Sequence, residues 1–276
     1  MTGLVLHAAA QVRSPEGPGS TGPTAPSGFF EDLLGPFGAK PDEELLSRGP
    51  HVSHRRLADL LADTDGVREA RPQLLIVTHA LPDVVPFTAV APHLTERLGG
   101  EAVNFSIAQQ GLAAPFTALR IAAAYQRSGR ATEVVLAVLE QTTLPTDVPL
   151  VTGTPLTDSA AALVLRAAPK AATGTGTEAG EGGLGLAGVG SGALPDVVHG
   201  DGVLHVLGPW AAEEDVPEGA EVHRAPQGTY CTGVWLELAA HWQEWRRTHR
   251  AVVLRDTDPR TGVSHHAVFT APAGTR

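Results

Sequence analysis

The most reactive type of side chain in this sequence is the thiol of a cysteine at position 231. Cys231 is the only thiol among 276 residues, and a lone thiol could serve as a nucleophile. A lone cysteine beside a buried helix is more often a small apolar core residue, and we favour that role. The helix predicted over Thr232–Thr248 spaces Trp235, Trp242 and Trp245 seven and three residues apart, which indicates core or interface packing.

Histidines and serines are the other candidates for chemistry. The chain has 12 histidines, but His265 and His266 are adjacent on a predicted strand and face opposite sides, so they cannot chelate together. We expect no metal site. His79 ends a predicted buried strand and is interpreted as a packed or loop histidine, not as a base. Ser106 and Ser159 have no recognisable His/Asp partner, and structural roles are favoured for both.

The elements that would position these residues alternate between strands and helices in the first part of the chain. Such alternation favours an α/β fold with a mainly parallel sheet covered on both faces. The predicted strands are Leu4–Val12, Gln73–Thr78, Ala102–Ile107, Glu133–Glu140 and Ala160–Leu165, and the predicted helices are His54–Leu61, Val84–Leu98 and Leu112–Arg127.

The second part of the chain is predicted to be a shortened copy of the first. Residues 169–193 contain nine glycines and are interpreted as a flexible insert between residues 1–168 and 194–276. The stretch 174–192 has no lysine placed as in a P-loop, and we expect no cofactor. The remaining predicted elements are the strands Leu184–Val189, Val203–Leu207, Ala251–Leu254 and Ser264–Thr270, with the helix Thr232–Thr248.

Composition excludes several classes of partner. The formal net charge is −10, which argues against nucleic acid because phosphate binding needs a basic surface. No apolar run approaches the roughly 20 residues that a membrane helix needs. Residues Met1–Leu4 supply no basic segment before the short apolar stretch that follows, so we expect no secretory signal and a cytoplasmic location.

Five segments, in order, resemble the beta-ketoacyl-ACP synthase III family. Two of them resemble the approach to the catalytic cysteine of that family and the helix that presents it, and the last resembles the segment of its catalytic asparagine. The segments are LLIVTHALPD (Leu74–Asp83), FSIAQQGLAAPFTAL (Phe105–Leu119), SGRATEVVLAVLE (Ser128–Glu140), DSAAALVL (Asp158–Leu165) and GTYCTGVWLELA (Gly228–Ala239).

The resemblance implies a thiolase-like five-layered αβαβα sandwich, here with a shortened C-terminal half. Leu112–Arg127 and Thr232–Thr248 would be its two central helices. It also implies a dimer in which the strand Ala102–Ile107 pairs across the subunit interface. That strand is apolar at Val103, Phe105 and Ile107, and it has no Lys or Pro to protect an open edge.

The catalytic residues of the resembling family are missing from this chain. Leu112 stands at the nucleophile position and Thr229 at the asparagine position, and neither side chain can do the chemistry of the residue it replaces. The catalytic histidine cannot be placed: His199, His205 and His223 lie in the relevant part of the sequence, but none has the neighbours that the family has there. We therefore do not expect decarboxylative condensation by this chain alone.

Three functions remain open. The first is a non-catalytic partner of an active ketosynthase in fatty-acid or polyketide-type specialised metabolism, with a heterodimer preferred over a homodimer. The second is an acyltransferase that uses other residues on acyl-CoA or acyl-ACP thioesters. The third is a module that binds such thioesters without reacting.

Overall fold

The computed structural model describes residues 3–13, 28–48, 52–85, 87–168, 182–195, 198, 200–212, 216 and 218–272. Its strands are β1 (Leu4–Arg13), β2 (Leu74–His79), β3 (Val103–Ile107), β4 (Glu133–Glu140), β5 (Ser159–Ala167), β6 (Gly185–Ser191), β7 (Val203–Leu207), β8 (Glu221–Arg224), β9 (Ala251–Thr257) and β10 (Ser264–Thr270). Its helices are α1 (Phe29–Leu34), α2 (Glu43–Arg48), α3 (His54–Ala62), α4 (Val90–Arg97), α5 (Ala114–Arg127), α6 (Pro149–Thr152) and α7 (Gly233–Thr248).

The strand order shows that the two parts of the chain repeat one topology. The order across the sheet is β3-β2-β4-β5-β1-β6-β10-β9-β7-β8. From the middle outward, the first half reads β1, β5, β4, β2 and β3, and the second half reads β6, β10, β9, β7 and β8. When the strands are numbered within each half, both halves have the order 1-5-4-2-3. The halves meet where Val5 pairs with Gly185, next to a hydrogen bond of 2.8 Å from the Leu6 N–H to the Leu184 carbonyl.

Two helices lie between the halves of the sheet. α5 contacts β2 and β4 in the first half and β6 and β10 in the second, while α7 contacts β1, β5, β7 and β9. Phe116 of α5 and Trp235 of α7 pack with ring centroids 5.0 Å apart. The helices α3 and α4 cover the opposite face of the first half.

The outer face of the second half is covered differently. In the described ranges no helix packs there, and Val198 and Leu194 instead cover Val203, Val253 and Val268. The described residues thus supply four layers of the expected five-layered sandwich. Among the described residues, the second half has a counterpart of α5 but none of α3 or α4.

The prediction of a mainly parallel sheet is wrong. In the first half, for which the prediction was made, β2 pairs in parallel with β3 and β4, but β5 pairs antiparallel with both β4 and β1. Parallel neighbours need a long crossover between them. The link from β9 to β10 is only a short turn, so this pair runs antiparallel. The link from β4 to β5 is longer, but its only helix, α6, has four residues and is too short to carry the chain back along the sheet, and this pair is antiparallel as well.

Two predicted boundaries also differ. The helix expected from Val84 begins only at Val90, because a proline at position 86 disfavours helical backbone at Val85. The strand expected over Leu184–Val189 is present as β6, so the C-terminal part of the proposed Gly-rich insert belongs to the sheet. Residues 169–181 of that insert lie outside the described residues.

The helices of the described ranges can be compared with what a membrane-spanning helix needs. None of them combines the length and the apolar character that a membrane crossing requires.

Candidate functional site

The turn between β3 and α5 carries Leu112, the residue that the sequence resemblance assigns to the nucleophile position. Gln109 has a φ of 62° and Gly111 a φ of 54°, both in the left-handed region. A single 3-10 turn over Gly111–Ala113 then leads into α5, with Leu112 buried. A non-glycine residue with positive φ is strained and is often found at functional sites. This chain keeps a sharp turn into the central helix, and it presents a Leu side chain there.

Asp258 occupies the space in front of this turn. Its Oδ2 accepts a hydrogen bond from the Leu112 N–H at 3.3 Å, and its Oδ1 accepts one from the Tyr230 hydroxyl at 3.0 Å. A Cβ at Gly111 would lie 2.5 Å from Oδ2 and 2.6 Å from the Tyr230 hydroxyl. The absent side chain at position 111 therefore lets the carboxylate reach the start of the central helix.

Glu140 holds the second central helix in a similar way. It is buried at the end of β4, and its carboxylate accepts hydrogen bonds from the Tyr230 N–H at 2.8 Å and from the Cys231 N–H. These donors lie just before α7. Burial raises the pKa of Glu140 to about 6, although the same hydrogen bonds act to lower it.

We use the term helix-start cluster for Leu112, Thr229, Tyr230, Glu140 and Asp258. The N-terminus of a helix attracts anions through its free N–H groups and its dipole. At both central helices the chain fills this place with a carboxylate of its own. An incoming anion, or a thiolate formed in place, would meet negative charge there.

Cys231 lies beside this cluster and lacks the properties of a nucleophile. The residue is buried, and its Sγ lies 3.8 Å from the Leu139 carbonyl oxygen. Burial, and next the neighbouring Glu140 carboxylate, raise the pKa of the thiol well above its ordinary value. Because the thiolate is the reactive form, a thiol that stays protonated fits the core role favoured by the sequence.

The residues predicted at the catalytic positions are partly brought together. Leu112 and the loop that contains Thr229 are joined through Asp258 and Tyr230. Thr229 is buried, and its Oγ1 has no hydrogen-bond partner in the described residues. Asp258 thus links Leu112 to Tyr230, the chain neighbour of Thr229, but neither Leu112 nor Thr229 carries a thiol or an amide side chain.

Of the three histidines considered for the catalytic position, the two that the structure describes, His205 and His223, do not join this cluster. His199 lies outside the described residues. His205 is on β7, where the alternate residues Leu204 and Val206 face the core, so its side chain points to the outer face. His223 is on the edge strand β8 and contacts α7.

A cavity of about 470 Å³ opens beside the edge strand β3. Phe105 and Leu33 form part of its apolar lining, and His54, His79 and Asp83 contribute polar groups. The rings of His54 and His79 lie 4.7 Å apart, and the His79 Nδ1 is 2.9 Å from the Leu81 carbonyl oxygen. His79 is thus held by a loop carbonyl, at the rim of a pocket.

Two residues that line this cavity, His54 and Asp83, form an ion pair with 3.9 Å between Nδ1 and Oδ2, and each has a polar atom without a hydrogen bond. The Nε2 of His54 and the Oδ2 of Asp83 are buried, and neither has a hydrogen-bond partner in the described part of the chain. Burial lowers the pKa of His54 and raises that of Asp83. Buried polar groups are normally paired, so this cavity has free hydrogen-bonding capacity next to apolar walls.

Sequence reasoning missed the carboxylates of the helix-start cluster. Asp258 is 146 residues from Leu112 along the chain, and no local pattern connects the two. It also missed a group of His223, Glu237 and His241. The spacing of Glu237 and His241, four residues apart on a helix, was the available signal for that group.

Asp256 gives the site a testable dependence on pH. Burial, and in addition the charges of Asp258 and Glu140, raise its pKa to about 8. The folded protein then holds a proton that the unfolded chain releases near pH 4. The contribution of Asp256 to the free energy of unfolding is therefore largest below pH 4 and decreases as the pH rises from 4 to 8.

We therefore expect Asp256→Asn to remove a slope of about 1.4 kcal/mol per pH unit from the unfolding free energy between pH 5 and 7. Asparagine keeps the oxygen that accepts from the Trp210 N–H. The measurement is urea unfolding across that range, with Asp65→Asn as the control because the Asp65 side chain is 90% exposed. An unchanged slope in Asp256→Asn would contradict the assignment.

Comparisons with known proteins identify the fold. No protein-family model matches the chain, and no curated protein has a significantly similar sequence. Among solved structures, 3-oxoacyl-(acyl carrier protein) synthase III (FabH) from Pseudomonas aeruginosa matches with a TM-score of 0.61 and 16% identity, over 98% of each chain. The tetronic acid condensing enzyme AbyA1 matches with a TM-score of 0.63 and 15% identity, over 97% of this chain and 100% of the other.

A third match extends the comparison. Acetamide-bound OleA from Xanthomonas campestris has a TM-score of 0.62 and 12% identity, over 98% of this chain and 100% of the other. The chain thus has the thiolase-like α/β fold of these proteins. The resemblance expected from the sequence is confirmed at the level of the fold.

Proposed function

We propose that this thiolase-fold chain is a non-catalytic partner subunit of an active, ketosynthase III-like enzyme. The observation that carries the proposal is at the start of α5, where Leu112 replaces the nucleophile and its N–H is hydrogen-bonded to Asp258. By the resemblance, Thr229 stands at the position of the asparagine. Neither His205 nor His223 lies with these residues, and His265, which interacts with Asp258, stacks on Phe116 of α5 with ring centroids 5.6 Å apart. The fold is retained while its reaction centre is filled by the chain's own side chains.

The open edge of the sheet at β3 is the observation that supports an interface with a partner chain. This strand is terminal in the sheet and pairs only with β2 in the described residues. Val103 on β3 is 54% exposed, and two nearby apolar residues, Leu33 and Phe87, are 48% and 60% exposed. An unprotected apolar edge promotes pairing with another chain, so β3 with these side chains is the proposed interface.

The shortened second half favours a heterodimer over a homodimer. A homodimer would contain two copies of the same filled reaction centre. A full-length relative with an intact catalytic cysteine would supply one working site, and this chain would supply the second half of the interface. Acyl-ACP or acyl-CoA would then be handled by the partner.

Co-expression with neighbouring ketosynthase-like chains, followed by mass measurement of the intact complex, tests the proposal directly. We expect a one-to-one complex with a chain that carries the catalytic cysteine. A chain that stays monomeric in the presence of every such neighbour would contradict it.

A lysine at position 103 is expected to break this complex. Val103→Lys places a charge on the proposed interface, where desolvation of an unpaired charge costs several kcal/mol. Val103 is a better target than Phe105, because Phe105 packs against the core. Val222→Lys is the matched control, since Val222 is 41% exposed on the opposite edge strand, β8.

Light scattering of the co-expressed complex measures the outcome. We expect Val103→Lys to elute as separate subunits and Val222→Lys to retain the mass of the complex. Equal masses for both variants would place the interface elsewhere.

The cavity beside β3 favours a second candidate, the binding of an acyl thioester by this chain itself. Its apolar walls suit an acyl chain, and the polar atoms of His54 and Asp83 that have no hydrogen bond in the described residues could accept or donate one. Calorimetric titration with acyl-CoA and intact mass spectrometry distinguish the possibilities. Saturable binding without an adduct supports a binding module, and a stable adduct on Cys231 or a serine supports an acyltransferase.

A further inference from the structure

The seam between the edge strand β8 and the helix α7 carries a group of side chains outside the helix-start cluster. β8 presents its alternate residues to α7, so that Glu221 pairs with His249 at 3.1 Å and His223 meets Glu237 and His241. Glu237 and His241 are four residues apart on α7 and share one face. In the described residues this is the group of three whose side chains could jointly hold a metal ion.

The distances within the group are close to those between the ligand atoms of a tetrahedral metal ion. The Oε2 of Glu237 lies 2.7 Å from the Nε2 of His223 and 3.7 Å from the Nε2 of His241. All three ligand atoms lie within 4.8 Å of one another. Zinc bonds of about 2.0–2.1 Å to nitrogen and oxygen put tetrahedral ligand atoms about 3.3 Å apart, so small side-chain rotations suffice.

Surrounding residues hold the three side chains in place. Arg13, at the end of β1, donates to the Oε1 of Glu237 at 3.1 Å and leaves Oε2 facing the histidines. Trp245 stacks on His241 at 5.2 Å and contacts the ring of His223 at the same distance. Partners of this kind orient metal ligands and fix their geometry.

Burial differs among the three residues in a way that suits an open metal site. The Glu237 side chain is only 7% exposed, whereas those of His223 and His241 are 31% and 39% exposed. An ion at this position can therefore be reached from solvent and keep water as a fourth ligand. Two imidazoles and one carboxylate with an open position form a ligand set known for zinc.

We propose that His223, Glu237 and His241 form a binding site for one divalent transition-metal ion of the zinc class. Two imidazoles and a carboxylate favour zinc and its neighbours over calcium or magnesium, which prefer all-oxygen shells. The ion would link the edge strand β8 to the central helix α7, and so fasten the outer edge of the shortened half.

Titration of the metal-stripped, untagged full chain with Co²⁺ and then Zn²⁺ tests the site. We expect one equivalent of Co²⁺ to give the visible absorption of a tetrahedral complex, and one equivalent of Zn²⁺ to displace it. Zn²⁺ should also raise the melting temperature of the protein.

Two single variants, His223→Ala and His241→Ala, should each abolish both signals. They lie on different elements, so a folding defect in one leaves the other informative, and far-ultraviolet circular dichroism confirms the fold. His249→Ala is the matched control, because it removes a histidine–carboxylate pair from the same seam. Its metal binding should equal that of the wild type.

The alternative is that Arg13, His223 and Glu237 form an ion-pair network with no metal. In that case Co²⁺ gives no tetrahedral spectrum with the wild-type chain. Either that result, or wild-type binding in both His223→Ala and His241→Ala, overturns the proposal.

Discussion

Replacement of Leu112 by cysteine is expected to give a thiol that acyl-CoA does not acylate at neutral pH. The backbone N of residue 112 lies 3.3 Å from the Oδ2 of Asp258, so the new thiol would stand beside a buried carboxylate. A neighbouring negative charge disfavours the thiolate and raises the thiol pKa. The start of the helix would not offset this effect, because the N–H of residue 112 already donates to Asp258.

Removal of the charge should then activate the thiol. In Leu112→Cys combined with Asp258→Asn, we expect acylation at least about tenfold faster than in the single variant, since each unit of pKa changes the thiolate fraction about tenfold. Leu112→Cys combined with Asp65→Asn is the control, with an exposed aspartate neutralised instead. Intact mass spectrometry after incubation with acyl-CoA measures the adduct.

Neither variant is expected to form a ketoacyl product. Nucleophile, histidine and asparagine act as a unit in condensation, and the proposed function assigns neither an asparagine nor a histidine to support malonyl decarboxylation. Equal acylation of the single and double variants would show that Asp258 does not control the site. A ketoacyl product from either would contradict the non-catalytic proposal.

The sequence predicts the fold well where apolar periodicity is strong. β7 has the predicted bounds, Val203–Leu207, and the helices α5 and α7 begin within two residues of the predicted starts. These segments are buried on all or most sides, so nearly every residue in them contributes to the pattern. The edge strand β3 was predicted as well, because its apolar residues stand between clear turns.

Elements with little apolar content escaped prediction. β8, Glu221–Arg224, has one apolar residue, Val222, and that residue is exposed. It becomes a strand because its backbone pairs in parallel with β7, which is a tertiary effect and not a local preference. The candidate metal site was hidden for the same reason, since His223 reaches α7 only once β8 is in the sheet.

The reaction centre shows a different limit. Leu112 and Thr229 could be assigned through their place in matching segments, whereas Glu140 and Asp258 act through contacts over 90 and 146 residues. An acidic residue in a sequence is ordinarily expected at the surface. Only the fold shows that these two carboxylates are buried and that backbone N–H groups of the central helices hold them.

The contact between the two central helices is expected to be the most sensitive point of the core. Trp235 is fully buried between the halves of the sheet and packs against Phe116 at 5.0 Å. Truncation to Ala leaves a large cavity, and such changes cost about 3–5 kcal/mol. For a chain of this size we expect the melting temperature of Trp235→Ala to fall by about 10 °C.

A paired substitution separates ring packing from hydrogen bonding. The Nε1 of Trp235 is buried with no hydrogen-bond partner in the described residues, whereas the Nε1 of Trp210 donates to the Thr229 carbonyl at 2.9 Å. Trp235→Phe keeps a ring and removes an unsatisfied donor, so its cost should stay below about 1.5 kcal/mol. Trp210→Phe loses the hydrogen bond to the Thr229 carbonyl, so it should lower the free energy of unfolding by more than the smaller buried area of the ring alone predicts.

Thermal and urea unfolding of the three variants measure these differences. A Trp235→Ala protein as stable as Trp235→Phe would show that the two halves are not joined through this ring.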